Sequence, residues 1–258
     1  MKSLFLSLTV LSLVTAMALA ESTPGMPDPQ QVQVKKAAMT VAELEKAGDA
    51  ARAVKDYETA ISYFQAAVNK DRKNAVLRNK LGLSELKANQ LQAARADFEK
   101  AAKLDRKYAD AVNNVGAVYF VQHNNGSAAR YFKKAVALDE TRPAFHVNLG
   151  SAWFGQNKLD RAIAEFRRAL ELDPEALNPS SRTGVTAQVS SPEERARYDF
   201  MLAKIYAQRG DVEHCLHCLK MAKEGGYRDL ASVYKLEEFS QVRQDARLSE
   251  IVPPPAVK

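Results

Sequence analysis

Residues 146–174 read HVNLGSAWFGQNKLDRAIAEFRRALELDP, and the fold can be read from this stretch. His146, Leu149, Gly150 and Trp153 stand at i, i+3, i+4 and i+7, the spacing of one helix face. Asn157-Lys158 supplies turn chemistry, after which Ala162, Phe166 and Ala169 fall at i, i+4 and i+7 on a second helix. Pro174 closes the stretch. Gly150 and the alanines let the two antiparallel helices approach closely, and Phe166 fills the space that small residues leave.

Working outward, the same residues return every 34 positions. Gly48, Gly82, Gly116 and Gly150 share that spacing, as do Ala60, Ala94, Ala128 and Ala162. So do Phe64, Phe98, Phe132 and Phe166, and Ala67, Ala101, Ala135 and Ala169. Four registers with no insertion make a genuine repeat over 41–176, in four contiguous units. A single helix pair cannot bury both its stripes, so neighbouring units must stack into a continuous core.

An aromatic, then Leu-Gly, then Tyr on the first helix, with Ala, Phe, Ala and Pro later, is the pattern of a known family. Leu81-Gly82 and Val115-Gly116-Ala117-Val118-Tyr119 carry its first half here. The sequence resembles the tetratricopeptide repeat family. Arg72, Arg106 and Glu140 stand in place of the closing proline, and unit one has Ala51 where an aromatic is usual. The resemblance implies an all-α protein, a right-handed α-solenoid of stacked helix-turn-helix units. About five units and C-terminal capping helices are expected, with the first helices lining a concave binding face.

Placing Cys215 at the small position sets Leu202, Ala203, Tyr206, Leu219 and Ala222 on the pattern, a divergent fifth unit within 196–229. Ser191-Pro192-Glu193-Glu194 is a strong helix start, and Thr40 with Glu43 forms a capping box at the head of unit one. Between units four and five, 177–195 begins with an aperiodic Ser-, Thr- and Asn-rich stretch and is expected to be a loop. In 230–258, Phe239, Val242, Arg243, Asp245, Leu248 and Ile251 recur at spacings of three and four. They suggest short helices that cap the stack before a disordered, Pro-rich tail.

Lys2, an uncharged apolar run from Leu4 to Leu19 and Ala18-Leu19-Ala20 form a secretory signal over 1–20, cleaved after Ala20. A retained membrane anchor is the alternative reading. A Pro-containing lead, 21–40, follows. The expected location is therefore periplasmic or secreted, with no membrane span after cleavage. The excess of 37 Lys+Arg over 31 Asp+Glu is scattered along helix faces, not clustered among aromatics, which argues against a nucleic-acid partner.

His214-Cys215-Leu216-His217-Cys218 is the densest chemical cluster. It lacks the His that haem attachment needs after the second Cys. Its four side chains spread over about 160° of one helix and cannot close a tetrahedron on zinc. With Cys215 at the small buried position, both thiols read as core; a strained disulfide between them is the competing reading. No nucleophile–base set and no phosphate loop is found. The sequence thus predicts no catalytic residue, no metal and no cofactor.

Helix offsets of −3, +1, +4 and +5 from each repeat Gly select the stripe not used in hairpin packing. They nominate Asn79, Leu83 and Leu86 in unit two, Asn113, Ala117 and Phe120 in unit three, and Val147, Ser151 and Phe154 in unit four. Asn114 and Asn148 lie alongside. Phe120 and Phe154, 34 apart, would form an aromatic ladder flanked by amides, suited to an extended peptide. The competing reading packs these rings against the neighbouring unit. Family members that grip a terminal carboxylate place cations at −3 and +1; here unit one has Glu45 and Asp49, and only Lys204 of unit five is basic. The expectation is a non-enzymatic scaffold binding a protein or peptide partner. The alternative is a regulatory subunit of a separate enzyme, with Cys215 and Cys218 as a redox-responsive element. Homo-oligomerisation, with the 21–40 or 252–258 tail in the groove, is a further arrangement the sequence allows.

Overall fold

The computed structural model describes residues 36–178 and 191–255; the signal, most of the lead, the greater part of the inter-unit loop and the final tail lie outside them. Among the described residues every regular element is helical. Four hairpins come first: α1 (Val41–Ala53) with α2 (Tyr57–Lys70), and α3 (Ala75–Lys87) with α4 (Leu91–Leu104). They continue with α5 (Ala109–Val121) and α6 (Asn125–Leu138), then α7 (Pro143–Phe154) and α8 (Leu159–Leu172). The fifth is α9 (Pro192–Gln208) with α10 (Val212–Glu224). Each second helix of units one to three also packs on the first helix of the next unit, which makes the array an α-solenoid.

The local chemistry at each turn is repeated with the units. Thr40 and Glu43 form the expected reciprocal box, with Thr40 N–H donating to Glu43 Oε2 at 2.7 Å. Asp56, Asn124, Asp211 and Ser191 cap α2, α6, α10 and α9 by accepting from a backbone N–H three residues on. The hairpin turns pass through a left-handed residue at Lys55, Asn89, His123 and Asn157, again 34 apart, and at Gly210 in unit five. Between units, the aspartates after α4, α6 and α8 turn the chain. Asp105, Asp139 and Asp173 each accept from the backbone N–H two residues later, at 2.9–3.1 Å. This explains why Arg106 and Glu140 can stand where the family pattern has proline.

The core follows the four registers. Phe64, Phe98, Phe132 and Phe166 are fully buried, as are the alanines four residues before and three after each. Each Phe ring lies directly over the repeat Gly: a Cβ on Gly48, Gly82 or Gly116 would come within 2.7 Å of its Phe ring, and one on Gly150 within 2.8 Å. Glycine is therefore required here by the close helix approach. In unit five the pair becomes Ala203 and Leu219, both fully buried. The added methyl is matched by the smaller partner.

Unit five also joins its neighbour differently. The backbones of α8 and α9 make few close approaches, and large side chains bridge the gap. Tyr198 meets Phe154 edge-on at 5.1 Å and Phe166 at 5.8 Å. Beyond α10, three short 3-10 turns (Leu230–Tyr234, Glu237–Phe239, Val242–Gln244) and α11 (Arg247–Ile251) bury Val233, Phe239, Val242 and Leu248. Arg243 fastens this segment by donating to the carbonyls of Val233 and Leu236, at 3.1 and 2.7 Å. Most of the expected capping helices are thus 3-10 turns.

Candidate functional site: the face of the first helices

The residues nominated from the sequence fall on α3, α5 and α7, where the structure links them from unit to unit. Lys80 donates to Glu45 at 2.7 Å and to Asp49 at 2.6 Å. Asn114 donates to Asn79 at 2.9 Å, and Asn148 to Asn113 at 2.9 Å. Lys80–Glu45, Asn114–Asn79 and Asn148–Asn113 are each 35 residues apart. In every case the position three before the Gly accepts from the position two before the next Gly. Asn113 also donates weakly to Asn114, at 3.4 Å, so the amides form one chain across three first helices. In unit five the rule turns apolar: Val147 and Met201 occupy the two positions and belong to one buried core.

Burial opposes the charge on Lys80, but the two carboxylates outweigh it and hold its pKa above the usual lysine value. Glu45 and Asp49, at the positions where carboxylate-gripping relatives place cations, are thus engaged by the protein's own lysine. The basic Lys204 of unit five is paired with Glu238 at 3.1 Å.

The tetratricopeptide repeat profile matches residues 44–109, 79–143 and 116–176, a continuous run over more than half of the sequence. The chain belongs to the tetratricopeptide repeat family. Its solved structural neighbours include a MamA protein, 19% identical with a TM-score of 0.50, covering 76% of this chain and 95% of that one. A thermophilic tetratricopeptide repeat protein from Thermus thermophilus is 16% identical with a TM-score of 0.52, covering 83% of this chain and 99% of that one. MamA from Desulfovibrio magneticus is 17% identical with a TM-score of 0.51, covering 71% and 93%. At these identities the likeness is one of fold. No curated protein sequence matches the chain.

In this tetratricopeptide repeat protein the aromatic pair is packing. Phe120 is 3% exposed and tilts against Phe132, in a cluster with Ala117, Ala128, Leu149 and Ala152. Phe154, 5% exposed, is covered by Tyr198 on one side and by the Arg197 guanidinium, 5.0 Å from its centroid. The open aromatic ladder is therefore corrected to two core rings, because the helices that follow lie over them. Ala117, Val147 and Ser151 are likewise buried, as are Asn79, Asn113 and Asn148. Leu83, Leu86 and Asn114 remain half-buried on the surface of α3 and α5. Offset counting could not tell which residues of these helices the neighbouring helices cover.

Sequence reasoning missed the pair formed within a hairpin by residues 19 apart: Arg78 donates to Asp97 at 2.8 Å, and His146 Nδ1 lies 2.7 Å from Glu165. The Glu165 carboxylate raises the pKa of His146 above its usual value, against the opposing effect of burial. Cys215 and Cys218 are free and buried within α10, and burial pushes both thiols up to about 12. At neutral pH they stay protonated and are poor nucleophiles, the opposite of a redox-responsive site. Among the described residues, no group of three or more His, Cys, Asp or Glu is placed to hold a metal, and no helix is long and apolar enough to cross a membrane.

Proposed function

We propose that this protein is a non-enzymatic, exported scaffold that holds an extended segment of a protein partner against the first-helix face. The observation that carries the reading is the amide chain beside half-buried apolar residues. Asn114 uses one N–H toward Asn79 and one lone pair toward Asn113. A primary amide has two donors and two acceptor sites, so Asn114 keeps one of each for a peptide backbone. Leu83 and Leu86 lie on the neighbouring helix with apolar surface to offer. The unit-to-unit bonds hold this strip rigid, which lowers the entropic cost of binding.

Export rests on the leader sequence alone: Lys2, the apolar run and Ala18-Leu19-Ala20. A photo-crosslinking residue at position 86 is expected to trap a defined protein in the native cell, with a control at exposed Lys134 on α6 trapping none. Equal yields from 86 and 134 would remove the peptide-binding reading. N-terminal sequencing of the native protein should begin at Glu21; a chain starting at Met1 in the cytosol would remove export.

A further inference from the structure

The junction of units four and five holds a cavity of about 430 Å³ that the first-helix face does not use. Leu177, Leu202, Tyr206 and Met221 form its apolar walls, and Asp199 lines it from α9. Asp199 is only 9% exposed, and its Oδ2 is buried with no hydrogen-bond partner among the described residues. Position 199 corresponds to Arg78 and His146, each of which has a charged partner 19 residues on, in Asp97 and Glu165. The residue 19 beyond Asp199 is Cys218, a weak donor that gives the carboxylate no bond.

Two of the other ionisable groups at the rim are engaged elsewhere. Glu213 is gripped by Arg247 at 2.7 and 3.1 Å, and His214 Nδ1 by Asp211 at 2.8 Å. Arg195, one turn before Asp199, is exposed and makes no hydrogen bond to it. Burial raises the Asp199 pKa, with Arg195 and His217 partly opposing the shift. A buried carboxylate that can only accept calls for a donor, and a cation would offset its charge as well.

We infer that this cavity binds an alkylammonium group, a lysine side chain or a free alkyl amine, with Asp199 accepting from its N–H donors and the apolar walls covering its stem. A volume of this size lies within the range of small-ligand sites and takes a four- to six-carbon chain. The site is separate from the peptide face proposed above and stands or falls independently of it.

The test uses ligand-observed NMR and calorimetry on the folded chain with n-hexylammonium, and with 1-hexanol as the uncharged control. The ammonium is expected to bind more tightly than the alcohol by at least about tenfold, and Asp199→Asn to remove about that factor. Met221→Trp, which narrows the cavity mouth and leaves Asp199 in place, should also weaken binding. An acetylated, amidated Ala-Lys-Ala peptide and its norleucine analogue distinguish the sources. Preference for the lysine peptide assigns the site to a protein partner, and binding of the free amine alone assigns it to a small molecule. Equal binding of hexanol and hexylammonium overturns the proposal, as does full affinity in Asp199→Asn. Should Asp199→Asn fail to fold, undiminished binding by Met221→Trp overturns it.

Discussion

In unit three the two helices meet where Gly116 lies under Phe132; in unit five the equivalent positions hold Ala203 and Leu219, both fully buried in one core. Both hairpins close, and the interior is filled in each: a large ring over a bare backbone in the first, a smaller side chain over a methyl in the second. The same contrast runs through the polar contacts. Units one to four are laced together by Lys80–Glu45, Asn114–Asn79 and Asn148–Asn113, and the lacing stops where Met201 replaces an amide. Unit five meets unit four instead through Tyr198 wedged against Phe154 and through polar contacts outside that rule, among them Arg197 donating to Asn157 at 2.9 Å. Four units repeat one set of contacts; the fifth keeps the hairpin while changing how it joins its neighbour.

The sharpest way to break this comparison is to exchange the two solutions. Phe132→Ala should cost about 3–5 kcal/mol in urea unfolding, because it empties a fully buried ring site. Gly116→Ala should cost about 1–3 kcal/mol, since its Cβ would press on the ring at 2.7 Å. Combined with Phe132→Leu, Gly116→Ala should recover most of its own loss, reproducing the fifth-unit pair. Strict additivity in that cycle would show that the two pairs are not alternative packings.

The lacing is tested next. Asn113→Ala removes the acceptor of Asn148 and leaves a buried amide without it, at a cost of about 1–3 kcal/mol. An unchanged denaturation midpoint would show that the amide chain contributes nothing to unit stacking.

The smallest effect concerns the buried carboxylate that unit two shares in kind with Asp199. Glu85 is 5% exposed, its Oε2 has no partner among the described residues, and burial, helped by Asp97, raises its pKa to about 7. The folded state favours the protonated form, so the Glu85 contribution is most favourable below 4.5 and is lost as pH rises through about 7. Glu85→Gln stays neutral throughout. It should therefore stabilise the protein by about 1–2 kcal/mol at pH 8 and not at pH 4. Equal effects at both pH values would place the ionisation elsewhere.

The hairpins, their caps and the fifth unit's register were legible because each depends on residues close in sequence. A capping Thr and its Glu are three apart, and a Gly and its Phe sixteen. In the candidate site, burial was not legible in the sequence. Phe120 and Phe154 share a position in the repeat, yet one ring is covered by Phe132 of its own unit and the other by Tyr198 of unit five. Asn113, Asn114 and Asn148 stand out in the sequence as groups for a peptide backbone, whereas in the structure their amides bond to asparagines of the same or the neighbouring unit.

The sequence by itself determined that this protein is a stack of helix pairs, because a fixed 34-residue period leaves each pair an apolar stripe that only its neighbours can bury. Only the tertiary structure decided which surface stays open. Contacts 35 residues apart, and the wider joint at unit five, depend on how far each unit is rotated and separated from the next. That geometry comes from the summed packing of many side chains, and no single spacing in the chain encodes it.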